Sequence, residues 1–186
     1  MSYDSVTAGS LLITHPGYGE PSFQDAVILV LDHTEQSTHG LILNRPDDQP
    51  LVQCLKKTPE NWHPTEPFYF GGPVFKTNVF MLHSPDWTIE TTTWITDDLC
   101  LTMGHEALDA LTDQHQPFYW RMFLGSAAWG PGQLEMEFNR GLHIPQYGWL
   151  TADYPGNDWI FEQDPDVLYT SALSLSTHQA VSSWLN

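Results

Sequence analysis

Apolar positions along this chain fall in short blocks rather than in long amphipathic stretches. Ser10 to Thr14 is a brief apolar segment that ends at His15-Pro16-Gly17-Tyr18-Gly19-Glu20-Pro21, a loop by composition. Ala26-Val27-Ile28-Leu29-Val30-Leu31 is a branched run whose length favours a strand buried on both faces over a helix. Gly40-Leu41-Ile42-Leu43 repeats the pattern, and the polar residues 32–39 between the two runs predict a hairpin.

The same reading continues downstream. Leu51, Cys54 and Leu55 recur at helical spacing, and residues 58–67 read as a surface loop. Strands are expected at 68–70 and 79–82, flanking Gly71-Gly72-Pro73, and at 91–96, where β propensity is high. Glu106 to Leu111 looks helical, with Thr102 as a cap upstream. Phe118 to Leu124 reads as a strand running into a glycine turn that begins at Gly125, and a helix is expected to open near Gly132. Trp159-Ile160-Phe161 reads as a late strand. Asp164-Pro165 supplies an N-cap and a first-turn proline for a helix to about residue 173, with a separate last helix over 178–184. Strands and helices alternate without a βαβ rhythm, which predicts one α+β domain over residues 1–186 with a largely antiparallel sheet.

Charge narrows the function classes. Six Lys and Arg against 23 Asp and Glu give a formal net charge of -17. Nucleic-acid binding draws most of its affinity from cationic side chains, so direct DNA contact is not expected. The acidity serves solubility, or it faces a basic protein partner. Cys54 and Cys100 form no zinc or redox spacing and read as buried cytosolic thiols. The opening residues lack a signal-peptide pattern, and no window is long and apolar enough for a membrane span. The expected location is the cytoplasm.

Four motifs stand out: Gly40-Leu41-Ile42-Leu43-Asn44-Arg45-Pro46, Gly71-Gly72-Pro73-Val74, Leu82-His83-Ser84, and Gly125 through Glu137 with its Trp129-Gly130-Pro131-Gly132-Gln133-Leu134-Glu135-Met136-Glu137 core. In this order, after Gly9-Ser10-Leu11-Leu12-Ile13, Pro16, Phe23 and His33, they resemble the YqgE/AlgH family of bacterial proteins. The resemblance implies a compact α+β domain with a strongly curved, barrel-like sheet and helices packed outside it. It implies no agreed biochemical activity, cofactor or catalytic residue. Two departures from the family pattern are visible: Ala128 stands where glycine is usual, and the stretch 138–149 is longer.

The candidate chemistry is sparse. Gln133 and Glu137 share a face of a helix while Glu135 lies off it. Together they could hold a metal or act as acid and base, or they could cap the helix and brace the glycine turn. Gly125 to Gly130 has Walker-like glycine spacing but no following Lys-Ser/Thr, and Ser126 lacks a Gly-x-Ser-x-Gly setting. Arg45 could clamp a strand end or bind a small anionic ligand through its planar fork. The nine histidines make no ligand pair and read as surface or capping residues. The tryptophans read as core and edge cover, with Trp62, Trp87 and Trp149 in polar, exposed settings.

The expected ligand-binding cluster is therefore Asn44, Arg45, Gly71, Gly72, Trp129, Gln133, Glu135 and Glu137, with no metal, no cofactor and no assigned catalytic residue. An ion pair of Arg45 with Glu135 or Glu137 is its expected resting state. The expected function is non-enzymatic, through protein or small-ligand binding. The alternative is a hydrolytic enzyme using Glu135 or Glu137 with Arg45.

Overall fold

The computed structural model describes residues 6–50, 67–112, 116–144 and 147–184. Its strands are β1 (Ser10–Thr14), β2 (Val27–His33), β3 (Thr38–Ile42), β4 (Pro46–Pro50), β5 (Pro67–Phe70), β6 (Val74–His83), β7 (Thr92–Trp94), β8 (Cys100–Met103), β9 (Trp120–Trp129) and β10 (Trp149–Asp153). Its helices are α1 (His105–Thr112), α2 (Gln133–His143), α3 (Asn157–Phe161) and α4 (Pro165–Trp184). All strands join one sheet in the order β10-β1-β2-β3-β9-β6-β8-β7, with β5 also on β9 and β4 on β5. Every pairing is antiparallel except that of β5 with β9. This is the expected α+β, largely antiparallel architecture.

Alternation along the strands divides the core. Val27, Leu29 and Leu31 of β2 join Leu11, Ile13, Leu41, Phe80, Leu82, Leu101 and Phe123 in one cluster that touches strands across the whole sheet. Only a sheet curled on itself lets strands so far apart in order share one interior. Trp159 and Ile160 of α3 with Leu168 and Ala172 of α4 pack into the same cluster. The other face of β2, Ile28 and Val30, packs under α2 with Leu12, Trp129, Leu134 and Trp149. The outer face at Phe68, Val79, Met81 and Met122 is covered by Ala107, Leu108 and Leu111 of α1. The 27–31 run is thus buried on both faces, as its composition requires.

Several expectations change. Trp159-Ile160-Phe161 lies on a helix, not a strand: it is bounded by Gly156, at φ +128°, and by Glu162, whose N–H donates to Asp158 O at 3.0 Å. Residues 165–184 form one continuous helix rather than two. Its start is as expected, with Asp164 Oδ1 accepting from Asp166 N–H at 3.0 Å. Thr102 is no cap; it is a buried residue of β8. Trp149 is buried and opens β10, a strand hidden in the polar stretch after α2. Trp87 is half-buried, its ring edge-on to the fully buried His83 at 5.3 Å, so His83 is a core residue and not a surface one.

The largest revision concerns Gly125. The chain does not turn there; β9 continues to Trp129, and the turn is confined to Gly130-Pro131-Gly132. Gly125 adopts φ +72°, and the β6–β9 register slips beside it, between Val74 and Val79. The kink exchanges inward and outward residues: Phe123 faces the interior cluster, whereas Ala127 faces α2. The expected helix at 51–55, the 58–66 part of the loop, Trp62 and Cys54 lie outside the described residues. Among the described residues no helix is long and apolar enough to cross a membrane.

Candidate functional site

The expected cluster divides into three separate structural knots. The first is on α2. Glu137 Oε2 accepts the indole N–H of Trp129 at 3.1 Å and that of Trp149 at 2.8 Å. Its Oε1 accepts from Gln133 Nε2 at 3.1 Å, and Gln133 Oε1 in turn accepts Gly130 N–H at 3.1 Å. The two indoles meet edge to face at 5.7 Å, with Phe23 against both. Oε2 therefore pins α2 to the ends of β9 and β10, while Oε1 holds Gln133 one turn back on the same helix. Burial, reinforced by the charges of Glu137 and Glu20, pushes the neighbouring Tyr18 hydroxyl up to about 12. Glu135, off this face, is exposed.

The second knot is the contact of Gly71 and Gly72 with β9. Gly71 N–H donates to Leu124 O at 2.8 Å, and Ile42 N–H donates to Gly71 O at 2.9 Å. A Cβ at Gly71 would lie 2.2 Å from Gly125 O, and one at Gly72 would lie 2.2 Å from the carbonyl carbon of Ser126. Backbone occupies the space in which a ligand would have to sit.

The third knot is the Asn44–Arg45 strand end. Asn44 Oδ1 accepts Val27 N–H at 3.0 Å and its Nδ2 donates to Asp25 O at 2.8 Å. Arg45 donates to Gln24 O and lines a shallow hollow with Asp25, Asp166 and Tyr169. No ion pair joins Arg45 to Glu135 or Glu137 among the described residues. The structure brings Gln133, Glu137 and Trp129 together, sets Gly71 and Gly72 on another part of β9, and takes Asn44 and Arg45 to the 24–25 loop and α4.

One open space lies in the interior of the curled sheet, at the far end of β9. A cavity of about 350 Å³ is lined by Leu31, Phe80, Ile95 and Leu101 from the interior cluster, with Phe75 and Met103 at its rim. Polar residues line it at five points: Asp32, His39, Asn78, Thr93 and Ser126. A bulge between Val30 and Asp32 sets Asp32 opposite His39, and His39 Nδ1 donates to Asp32 Oδ1 at 2.8 Å. In the neutral ring that bond leaves Nε2 as an acceptor. Phe75 holds φ +49°, a conformation that side chains resist, and its ring is 55% exposed. A small apolar cavity with a few convergent polar groups, at the mouth of a curled sheet, has the composition of a ligand site. The sequence showed His39 only as a hairpin residue; its pairing with Asp32 depends on a bulge that no local signal marks. No group of three or more His, Cys, Asp or Glu is placed to hold a metal among the described residues.

Comparison with known proteins agrees with the fold. The model of the AlgH-like family matches residues 11–180. A UPF0301 protein of Rhizobium meliloti is 36% identical over 177 residues, covering 90% of this chain and 85% of the relative. A UPF0301 protein of Ruegeria pomeroyi is 33% identical, covering 88% and 83%. The solution structure of the AlgH protein from Pseudomonas aeruginosa superposes with a TM-score of 0.72 at 26% identity, covering 94% of this chain and 91% of that one. A crystal structure of a Corynebacterium diphtheriae protein shares the fold at a TM-score of 0.67 and 21% identity, covering 95% and 93%. None of these names specifies a reaction.

Proposed function

The chain belongs to the AlgH-like family, whose biochemical role is unassigned, and from that premise we propose that it acts in the cytoplasm by binding a small, largely apolar ligand rather than by catalysis. The observation that carries this reading is the cavity at the mouth of the sheet, with apolar walls and the His39–Asp32 pair at its edge. The ligand that fits has an apolar body and a hydrogen-bond donor, a hydroxyl or an amine, for His39 Nε2. The hydrolytic alternative, with Glu135 or Glu137 and Arg45, is the less favoured reading: both oxygens of Glu137 accept from N–H donors, Glu135 is exposed, and Arg45 donates to Gln24 O.

Direct nucleic-acid binding is not part of the proposal. Of the six basic residues, Arg121 is buried, Arg140 stacks on Tyr147 at 4.1 Å and Arg45 is tied to the 24–25 loop. Titration with the neutral fluorophore 1-aminoanthracene tests the reading. Saturable binding to the folded protein is expected, weakened about tenfold by Met103→Glu, which sets a charge at the apolar rim. Absence of saturable binding, or indifference to Met103→Glu, overturns it. Displacement of the probe by a partner peptide instead of a small alcohol or amine would point to protein binding at the same mouth, where Phe75 and Met103 are exposed.

A further inference from the structure

Arg45 lines a shallow, exposed hollow beside carboxylates, whereas Arg121 is a buried cation at the wall of a deeper cavity. Arg121 sits near the start of β9, five positions before Ser126, which places it about 15 Å from the mouth cavity along the strand. Its side chain is 7% exposed, which makes it a charged group taken almost wholly out of water. The guanidinium packs on the face of Tyr69 at 4.3 Å and near Phe161 at 6.0 Å. Of its N–H donors only one has a partner among the described residues, through Nη1 to Leu43 O at 3.2 Å.

No described carboxylate compensates it. Asp158 and Glu162 accept the hydroxyl of Tyr119, and Asp164 caps α4. Burial pulls the Arg121 pKa down, opposed among the described groups by Tyr69 alone. A buried, unpaired cation is costly, and proteins pair such groups or keep them for a ligand. In a chain of net charge -17, a lone buried arginine without a carboxylate is out of keeping with its surroundings.

Space lies where the counter-charge is missing. A cavity of about 380 Å³ opens on Arg121 and is walled by Tyr69, Phe118, Tyr119, Phe161 and Pro165, with the Gln163 amide at its edge. We propose that this cavity is a binding site for a small monocarboxylate with a flat apolar body, the carboxylate taken by the Arg121 guanidinium and the body lying among the aromatic rings. A planar fork matches a carboxylate bidentately and strongly. A single cation in an acidic protein suits one negative charge and disfavours polyphosphates or dicarboxylates. The site is separate from the mouth cavity, and its failure leaves that reading untouched.

The test is calorimetric titration of the protein with benzoate and indole-3-acetate, with benzamide as the uncharged isostere and inorganic phosphate as the bare anion. Binding of a carboxylate probe with a Kd below roughly 1 mM is expected, at least about tenfold tighter than benzamide or phosphate. Arg121→Met should abolish it. Phe118 is 78% exposed at the rim, so Phe118→Asp should weaken binding about tenfold by charge without disturbing the core. This second variant decides the question even where Arg121→Met fails to fold. No carboxylate binding to the folded wild type, equal affinity for benzamide, or unchanged affinity in Phe118→Asp would each overturn the assignment.

Discussion

The indole N–H of Trp149 lies 2.8 Å from Glu137 Oε2, and through this contact a helix carboxylate holds the start of a strand twelve residues further on. Trp129 donates to the same oxygen, and both indoles are nearly buried, at 3% and 6% exposure. Removing the acceptor leaves two nearly buried N–H groups without their protein partner. Hydrogen bonds to a charged group contribute about 1.5–3 kcal/mol each, so Glu137→Ala is expected to cost about 3 kcal/mol or more. Glu137→Gln keeps an acceptor oxygen and should cost less. Glu135→Ala should change stability by less than about 0.5 kcal/mol, since Glu135 is exposed. Urea unfolding of the three variants checks the order; equal effects at 135 and 137 would refute it.

Two glycines with positive φ should respond very differently to substitution. Gly132 holds φ +68° with nothing within 4 Å of a built Cβ, so Gly132→Ala should cost only the left-handed strain, about 1–2 kcal/mol. Gly72 holds φ +150°, and a Cβ there would meet the Ser126–Ala127 peptide at 2.2 to 2.4 Å, against backbone that cannot yield. Gly72→Ala should cost more than about 4 kcal/mol or prevent folding. Melting temperatures that fall by similar amounts in both variants would contradict this.

The acid limb of the stability curve should carry the signature of His83. Ile89 N–H donates to Thr92 Oγ1 at 2.9 Å; Thr92 and Thr102 hydroxyls lie 2.8 Å apart; Thr102 Oγ1 is 2.9 Å from His83 Nε2. Since His83 Nδ1 donates to Ser84 O at 2.8 Å, Nε2 accepts from Thr102, and every hydroxyl in the chain points toward the imidazole. Protonating Nε2 forces the Thr102 hydroxyl to reverse from donor to acceptor and buries a charge. Burial, the largest influence, accordingly lowers the His83 pKa below 6.5. The unfolded chain takes up the proton first, so stability from neutral His83 is present above about 6.5 and is lost as pH falls through the depressed folded value. Between pH 7 and 5, His83→Gln should show a shallower loss of stability than wild type, measured by denaturant midpoints. Parallel curves would exclude the role.

Legibility in the sequence followed how local each signal was. The 26–31 and 40–43 runs announced β2 and β3 because their apolar residues are contiguous and both faces are buried. β10 was hidden because Trp149-Leu150-Thr151-Ala152-Asp153 mixes polar and apolar positions, and only pairing with β1 makes it a strand. The helical spacing of Gln133 and Glu137 correctly placed them together. Their partners, Trp129 and Trp149, come from the ends of two strands that only tertiary structure brings side by side. Arg45 stands out in the sequence as one of six basic residues, placed just after a buried strand, whereas the burial of Arg121 depends on Tyr69 and Phe161, distant in sequence. The Gly125 motif read as a turn because glycine signals freedom, not whether the chain will kink within a strand or reverse.

Phe75 supplies the last prediction. It is one of two non-glycine residues at positive φ among the described residues, and it stands at the rim of the mouth cavity. A left-handed conformation costs a side chain about 1–2 kcal/mol, and strain of this kind persists where surrounding structure enforces it. Its ring is 55% exposed, so packing does little to offset that cost. If the ring is held there to cover a ligand, stability and binding should separate on substitution. Phe75→Gly removes the strain and should leave stability unchanged or raise it by up to about 1 kcal/mol, the gain limited by glycine's greater freedom in the unfolded chain. The same variant should lose affinity for 1-aminoanthracene, because part of the cavity wall is gone. Phe75→Ala keeps the strain and loses the ring, so it should bind as weakly without the gain in stability. Thermal melts and fluorophore titrations on the two variants settle the matter together: a Phe75→Gly protein that binds as wild type does would show that the ring takes no part in the site.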